Sequence, residues 1–244
     1  MSYRLPAETR SFAFGGPEGD LFGAATVWDG GFCSSFGAPT AVEGSEPDEE
    51  WRLAGEGFEL TFAPVGEAAE LELADAGITA RYQLARVHGT MMADGNERAL
   101  DCAGELGTRV GALDSKRFDT VRAISAWFGE QNGFALLAAR PRRARGHDAD
   151  IVAGVLFESG VPVPISESRI STTFTAGGSL ARVGLELWLG EDDGDDADQY
   201  ARRAAAEATG LAAVCGDPPL RAELLRWHMQ GRAGLGVHDL VRAR

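Results

Sequence analysis

The sequence predicts an all-β protein, and three observations carry that reading. Thirty-two glycines punctuate the chain. Short apolar runs of strand length lie between them, with few stretches able to sustain a long helix. Several of those runs alternate with period two, the mark of a half-buried strand.

Taken in order, Asp20 to Asp29 reads as a strand closed by Asp29-Gly30-Gly31, with Phe32 to Phe36 returning as a hairpin demands. Trp51-Arg52-Leu53 follows, and after Gly55-Glu56-Gly57 the run Phe58 to Phe62 sets Phe58, Leu60 and Phe62 on one face. Leu71 to Leu73, Ile78 to Val87 and, beyond the turn Asp94-Gly95-Asn96, Ala99 to Ala103 continue the antiparallel series. Gly104 to Arg117 has three glycines, mixed charge and little periodicity, so the main boundary is placed there, giving domains 1–110 and 111–244.

The meander resumes beyond it. Ile124 to Phe128 and Phe134 to Ala139 flank a glycine-bounded turn, and Ile151 to Phe157 follows the basic loop Arg140 to His147. Arg169 to Phe174 and Leu180 to Leu189 flank Ala176-Gly177-Gly178; in the second, Val183, Leu185, Leu187 and Leu189 alternate with Arg182, Gly184, Glu186 and Trp188. Tyr200 to Ala208 has the best local helix propensity of the chain. Leu220 to Met229, a Gly231/Gly234 turn and Leu235 to Val241 finish it.

With 23 Lys+Arg against 37 Asp+Glu the chain of 244 residues carries a net charge of −14. Such a chain lacks the basic footprint of a nucleic-acid binder and is repelled by an anionic membrane surface. No basic start precedes an apolar stretch at the N-terminus, and no apolar run has the length of a membrane span. At this length about 70–75% of the unfolded surface is buried on folding, so neither disulfides nor metals are needed. Cys33, Cys102 and Cys215 are odd in number, widely spaced and without a C-x-x-C, and they read as buried free thiols in a reducing cytoplasm.

No G-x-S-x-G elbow, P-loop, dinucleotide fingerprint or H-E-x-x-H occurs, so the commoner hydrolase, nucleotide and zinc chemistries have no support, and no cofactor or metal is expected. Glu191 to Asp198 holds six carboxylates in eight residues, but their spacing does not fit a calcium loop. It reads as a solvated acidic loop. Gly15-Gly16-Pro17-Glu18-Gly19, before a strand and with no helix behind it, reads as a turn.

The candidate site residues lie on strands. Arg226 and His228 share one face of Leu220 to Met229, opposite Glu223, Leu225 and Trp227. If that face looks into a barrel, they could take an anionic or hydroxylated ligand, or serve catalysis with Glu186 or Glu223 orienting them; structural ion pairs between neighbouring strands are the plainer reading. Trp127, Trp188 and Trp227 could line an apolar cavity or simply pack a core. His147 stands in a loop whose arginine forks suit a planar anion, or whose charge only offsets nearby acids. His88 and His238 have no sequence neighbour that makes either a convincing base.

Two stretches point further. Val87-His88-Gly89-Thr90 with Asp94-Gly95, and Leu100-Asp101-Cys102-Ala103-Gly104-Glu105, resemble a segment of the AttH/CrtC-like family, which includes bacterial carotenoid 1,2-hydratases and many actinobacterial proteins. Ser125-Ala126-Trp127-Phe128, Arg169 to Phe174, Gly184 to Trp188 and Arg226-Trp227 resemble its second half. The resemblance implies two consecutive lipocalin-like barrels with a small-molecule cavity, and it makes Tyr200 to Ala208 a strand. In the family the boundary segment supplies a His and a Trp to the pocket. Here Thr108 and Val110 stand in those places, with Gly111 kept. A threonine hydroxyl is no proton donor near neutral pH.

The expectation is therefore a protein that holds a hydrophobic small molecule, lipid- or isoprenoid-like, in a barrel cavity lined by Trp127, Trp188, Trp227, Arg226 and His228. Two alternatives stand beside it. One is a cofactor-free isomerase, hydratase or cyclase using His228, Arg226 and Glu186; the other is a scaffold with filled barrels. Self-association as a homodimer is left open.

Overall fold

Period-two alternation and tight turns build, among the described residues, sixteen strands and one 3₁₀ turn, Ala74–Ala76. The computed structural model describes residues 8–16, 21–44, 49–111, 114–145, 149–190, 201–215 and 220–242. The acidic loop at 191–198, His147 and the 17–19 part of the first glycine-rich turn lie outside the described residues.

The first eight strands are β1 Glu8–Gly15, β2 Phe22–Trp28, β3 Gly31–Ser34, β4 Pro39–Glu43, β5 Trp51–Gly55, β6 Phe58–Leu73, β7 Ile78–Ala93 and β8 Asn96–Val110. They form one antiparallel sheet ordered β3-β2-β1-β8-β7-β6-β5-β4, in which β8 returns to pair with β1. The sheet rolls into a barrel open at a single seam, where the edges of β3 and β4 have no ladder partner. The second eight are β9 Phe118–Trp127, β10 Gly133–Pro141, β11 Ile151–Glu158, β12 Val161–Phe174, β13 Leu180–Leu189, β14 Arg202–Cys215, β15 Leu220–Met229 and β16 Arg232–Arg242. They close fully, β16 pairing with β9. The 202–215 segment is thus a strand despite its alanines, because both its edges are taken by β13 and β15.

Hairpin turns at Asp94-Gly95, Ser159-Gly160 and Gln230-Gly231 hold positive φ at both central residues, the geometry whose twist matches the flanking strands. The glycines of the expected boundary segment do something else. Residues 104–110 continue β8, and a Cβ at Gly104 or Gly107 would run into the Ala13 carbonyl or the Ser11 hydroxyl of β1. These glycines permit close strand approach instead of a turn.

Three apolar clusters follow from the alternation. The N-terminal barrel is filled by Phe12, Phe14, Trp51, Phe58, Leu60, Phe62 and their neighbours. The C-terminal barrel is filled by Ile124, Phe134, Leu136, Leu156, Leu185, Leu187, Leu225 and Trp227. The third lies between the barrels and includes Phe22, Leu71, Leu73, Ile78, Leu84, Leu137, Phe157 and Leu224.

Cys33 on β3 and Cys215 at the end of β14 are joined by a disulfide, with Cα atoms 5.6 Å apart. This overturns the reading of three free thiols and removes the reason it gave for a reducing compartment. Sequence separation of 182 residues hid the pairing: only the docking of one barrel on the other brings β14 to β3. Cys102 is free and buried, and burial pushes its thiol up to about 12. Among the described residues no helix is long and apolar enough to cross a membrane.

Candidate functional site

The residues singled out from the sequence do not gather. On β15, Leu225 and Trp227 are wholly buried in the C-terminal barrel, so the alternation turns Arg226 and His228 outward, where both are exposed. Glu186 is also on the outer face of its barrel, opposite Arg203 in register, and its carboxylate takes Arg203 at 3.1 Å and Arg169 at 4.0 Å. Arg226, His228 and Glu186 therefore share no cavity. Trp227 packs edge-on to Phe134 at 5.0 Å inside the barrel. Trp127 lies in the inter-barrel cluster against Phe22, and Trp188 sits on the outer wall beneath the Arg169 guanidinium, 5.0 Å from it.

Two small cavities meet near the place the resemblance pointed to. At the mouth of the N-terminal barrel, Arg10, Thr108 and Arg81 form one cross-strand row, and Phe12, Leu106 and Gln83 form the next row inward. With Trp51 they line a cavity of about 20 Å³, room for about one water. Arg10 lies across the Trp51 ring at 4.9 Å. Gln83 is 6% exposed; its Nε2 donates to the Gly66 carbonyl at 2.9 Å, while its Oε1 is buried with no hydrogen-bond partner. Thr108 is part of this wall.

The second cavity, also about 20 Å³, shares Ser11, Phe12 and Tyr82 with the first and lies between the barrels. Glu105 of β8, Ser125 of β9 and Asp239 of β16 line it. The Ser125 hydroxyl donates to Glu105 Oε1 at 2.5 Å, a buried bond joining the barrels. Burial, with a smaller contribution from Asp239, pushes Glu105 up to about 8, against the opposing pull of the Ser125 bond. Burial likewise lifts Asp239 to about 6, opposed by Arg109, and raises the Tyr82 phenol above its ordinary value, with Glu105 adding to the shift. Glu105 is thus a carboxylic acid that keeps its proton at neutral pH. In the sequence it stands at the end of the Leu100–Glu105 stretch, a lone carboxylate between Gly104 and Leu106 with nothing beside it to mark a buried acid.

The C-terminal barrel has its own polar end. Asp150 is ion-paired to Arg122 and to Arg140, the latter at 3.0 Å. His238, opposite Glu223 and Ile124 in register, is fully buried, and neither ring nitrogen meets a partner beyond its own main chain. Burial and the nearby Arg122 bring its pKa down to about 4, so its imidazole is neutral at physiological pH. Glu223 accepts the Leu180 N–H at 3.0 Å and Arg221 Nε at 2.6 Å. Between β11 and β12 a cavity of about 320 Å³ is lined by Asp150, Val152 and residues 166–170.

Neither a family model nor a curated protein matches the chain. Solved structures do match over nearly its whole length. An AttH-like protein from Nitrosomonas europaea superposes with a TM-score of 0.59 at 12% identity, covering 98% of this chain and 93% of that one. Kievitone hydratase from Nectria haematococca gives 0.53 at 10%, covering 98% and 89%. CghA in complex with Sch210972 gives 0.52 at 12%, covering 97% and 89%. At these identities the likeness is one of fold: the chain has the tandem lipocalin-like architecture of these proteins.

Proposed function

We propose that the protein binds a small, largely apolar organic molecule carrying an oxygen function at the mouth of the N-terminal barrel. One observation carries this reading: the buried, unused acceptor Gln83 Oε1 beside the apolar side chains of Phe12, Trp51 and Leu106. A buried acceptor without a donor costs about 1–3 kcal/mol, and a ligand hydroxyl removes that cost. Arg10 and Arg81 at the rim suit a hydroxyl or carboxylate at the ligand's outer end. The present volume admits only about a water, so entry requires Arg10 to leave the Trp51 ring. Such a contact is worth about 0.5–1 kcal/mol at an exposed site, and the Arg10 side chain is 38% exposed. The fold neighbours add support, since one is a hydratase by name and another was crystallised with Sch210972.

A second reading, cofactor-free proton chemistry on that ligand, is favoured by Glu105, whose retained proton faces the adjoining cavity. The test of binding is a thermal-shift and native mass-spectrometry screen of terpenoids, fatty acids and steroids. A ligand raises Tm in the wild type and fails to do so in Gln83→Leu. If no compound raises Tm, the binding reading is lost. For catalysis, Glu105→Gln keeps ligand binding and loses turnover; unchanged turnover in that variant rejects the second reading.

A further inference from the structure

The C-terminal barrel wall is split where β11 meets β12. Their ladder runs only from Val155↔Pro164 to Glu158↔Val161. Pro164 is the last β12 residue in that ladder, and just beyond it the β12–β13 register shifts between Ile165 and Glu167, an irregularity that carries this part of β12 away from β11. Beyond the split, residues 151–154 keep β10 on one side and have no ladder partner on the other. The gap holds the cavity of about 320 Å³, within the size range of small-molecule sites and some sixteen times the volume of either cavity described above.

The walls specify the chemistry. Val152 and Ile170 continue the apolar barrel interior. Ser168 stands opposite the buried Leu187 in register and so faces inward with Ile170. Ser166 Oγ donates to the Trp188 carbonyl at 3.0 Å and keeps its acceptor lone pairs. Among the described residues every charge that lines the cavity has an opposite: Asp150 has Arg122 and Arg140, and Arg169 has Glu167 at 3.4 Å and Glu186 at 4.0 Å. A charged ligand would have to break one of these pairs. A neutral one can use the spare lone pairs of the carboxylates, the serine hydroxyls and the unladdered main chain without doing so.

We infer that this split in the barrel wall is a binding site for an uncharged polyhydroxylated small molecule, a sugar or a polyol. It is separate from the N-terminal mouth, and neither reading depends on the other.

The experiment is saturation-transfer NMR and calorimetric titration of the full chain with D-glucose, myo-inositol and glycerol, with citrate and spermidine as charged comparators. At least one polyol binds, more tightly than either charged probe, with Kd on the order of 1 mM. Ser168→Leu, which fills the slot, weakens it at least about tenfold, and Ser168→Ala, which leaves the packing intact, about fivefold. Gln83→Leu at the other mouth changes nothing. The inference falls if no polyol binds, if a charged probe binds better, or if the only response is a general stabilisation at high sugar concentration that Ser168→Leu and Ser168→Ala leave unaltered. If Ser168→Leu does not fold, Ser168→Ala alone decides.

Discussion

The two barrels share a strand count and a meander, yet they are filled differently. The N-terminal interior is a stack of rings: Phe12 against Phe62 at 5.2 Å, Phe14 against Phe36 at 5.2 Å, Phe36 against Phe58 at 5.0 Å. Large rigid rings occupy the lumen of a barrel whose seam is open, and volume is found at its mouth and at that seam, where about 300 Å³ lies between β3 and β4. The C-terminal interior is mainly Leu, Ile, Val and Ala, with rings confined to Phe134, set between Trp227 and Phe128. Its strands pair all round, so its free volume appears where the short β11–β12 ladder stops and where polar side chains gather at one end. The same architecture thus yields an apolar mouth in one half and a polar slot in the other. Function in such a fold follows from what fills it.

The sharpest test of that contrast is pH, because the titrating groups differ by location. Glu105, between the barrels, holds its proton up to about 8 in the folded chain against an ordinary 4.5, so its contribution is intact below 4.5 and is lost as pH rises through about 8, a loss of about 5 kcal/mol. Inside the C-terminal barrel the sign reverses. His238 is depressed from 6.5 to about 4, so stability is full above 6.5 and falls by about 3 kcal/mol as pH drops through about 4. Asp239, which lines the same cavity as Glu105 and is raised from 3.8 to about 6, has the same sign as Glu105. Urea midpoints should therefore fall from weakly acidic to alkaline pH. Glu105→Gln removes the larger part of that fall and leaves the Asp239 part, and His238→Gln removes the histidine's opposing contribution below 6.5. A flat alkaline limb in the wild type would mean that Glu105 meets solvent and that the barrels are not tightly docked there.

Next in size is truncation of each filling. Trp227→Ala in one barrel and Phe62→Ala in the other each remove a ring that is fully buried, at about 3–5 kcal/mol. The inter-barrel cluster draws on strands of both halves, so calorimetry should show one transition that either variant lowers. Two transitions, each sensitive to only one variant, would show that the halves fold independently.

Much of this architecture was legible from residue order. The alternation Leu225-Arg226-Trp227-His228 separated an apolar face from a polar one, and the barrel buries the apolar one. What period two could not supply is which face a cavity would occupy, and so Arg226 and His228, attractive as chemistry, stand outside. Glu105 was hidden by its glycines. Gly104 and Gly107 looked like a boundary because their role, clearing the β1 backbone and the Ser11 hydroxyl, exists only after β8 has paired with β1. The Cys33–Cys215 bridge was unreadable for the same kind of reason, since its partners stand on two separate sheets and meet only through their docking.

That bridge gives the third test. It ties the unpaired edge strand β3 to the other barrel, and replacing both cysteines by serine should cost about 2–4 kcal/mol, chiefly by freeing the unfolded chain. Hydrogen exchange should then rise first in β3, the short edge with a ladder on one side only. Faster exchange spread evenly over both barrels would instead mean that the bridge holds the two halves together.

The smallest effect is the most informative about the N-terminal mouth. Arg10→Ala removes the guanidinium from the Trp51 ring and should lower stability by no more than about 1 kcal/mol. If the arginine acts as a gate over the cavity below, the same variant admits apolar ligands faster, and Trp51 fluorescence responds to them at lower concentration than in the wild type. If Arg10 instead holds an acidic end of the ligand, the variant weakens carboxylates selectively and leaves alcohols of the same body unaffected. Because the ring and the buried Gln83 acceptor lie on the same cavity, combining Arg10→Ala with Gln83→Leu separates the two roles. Gating predicts independent effects on rate and affinity, whereas shared contact with one ligand predicts losses that do not add.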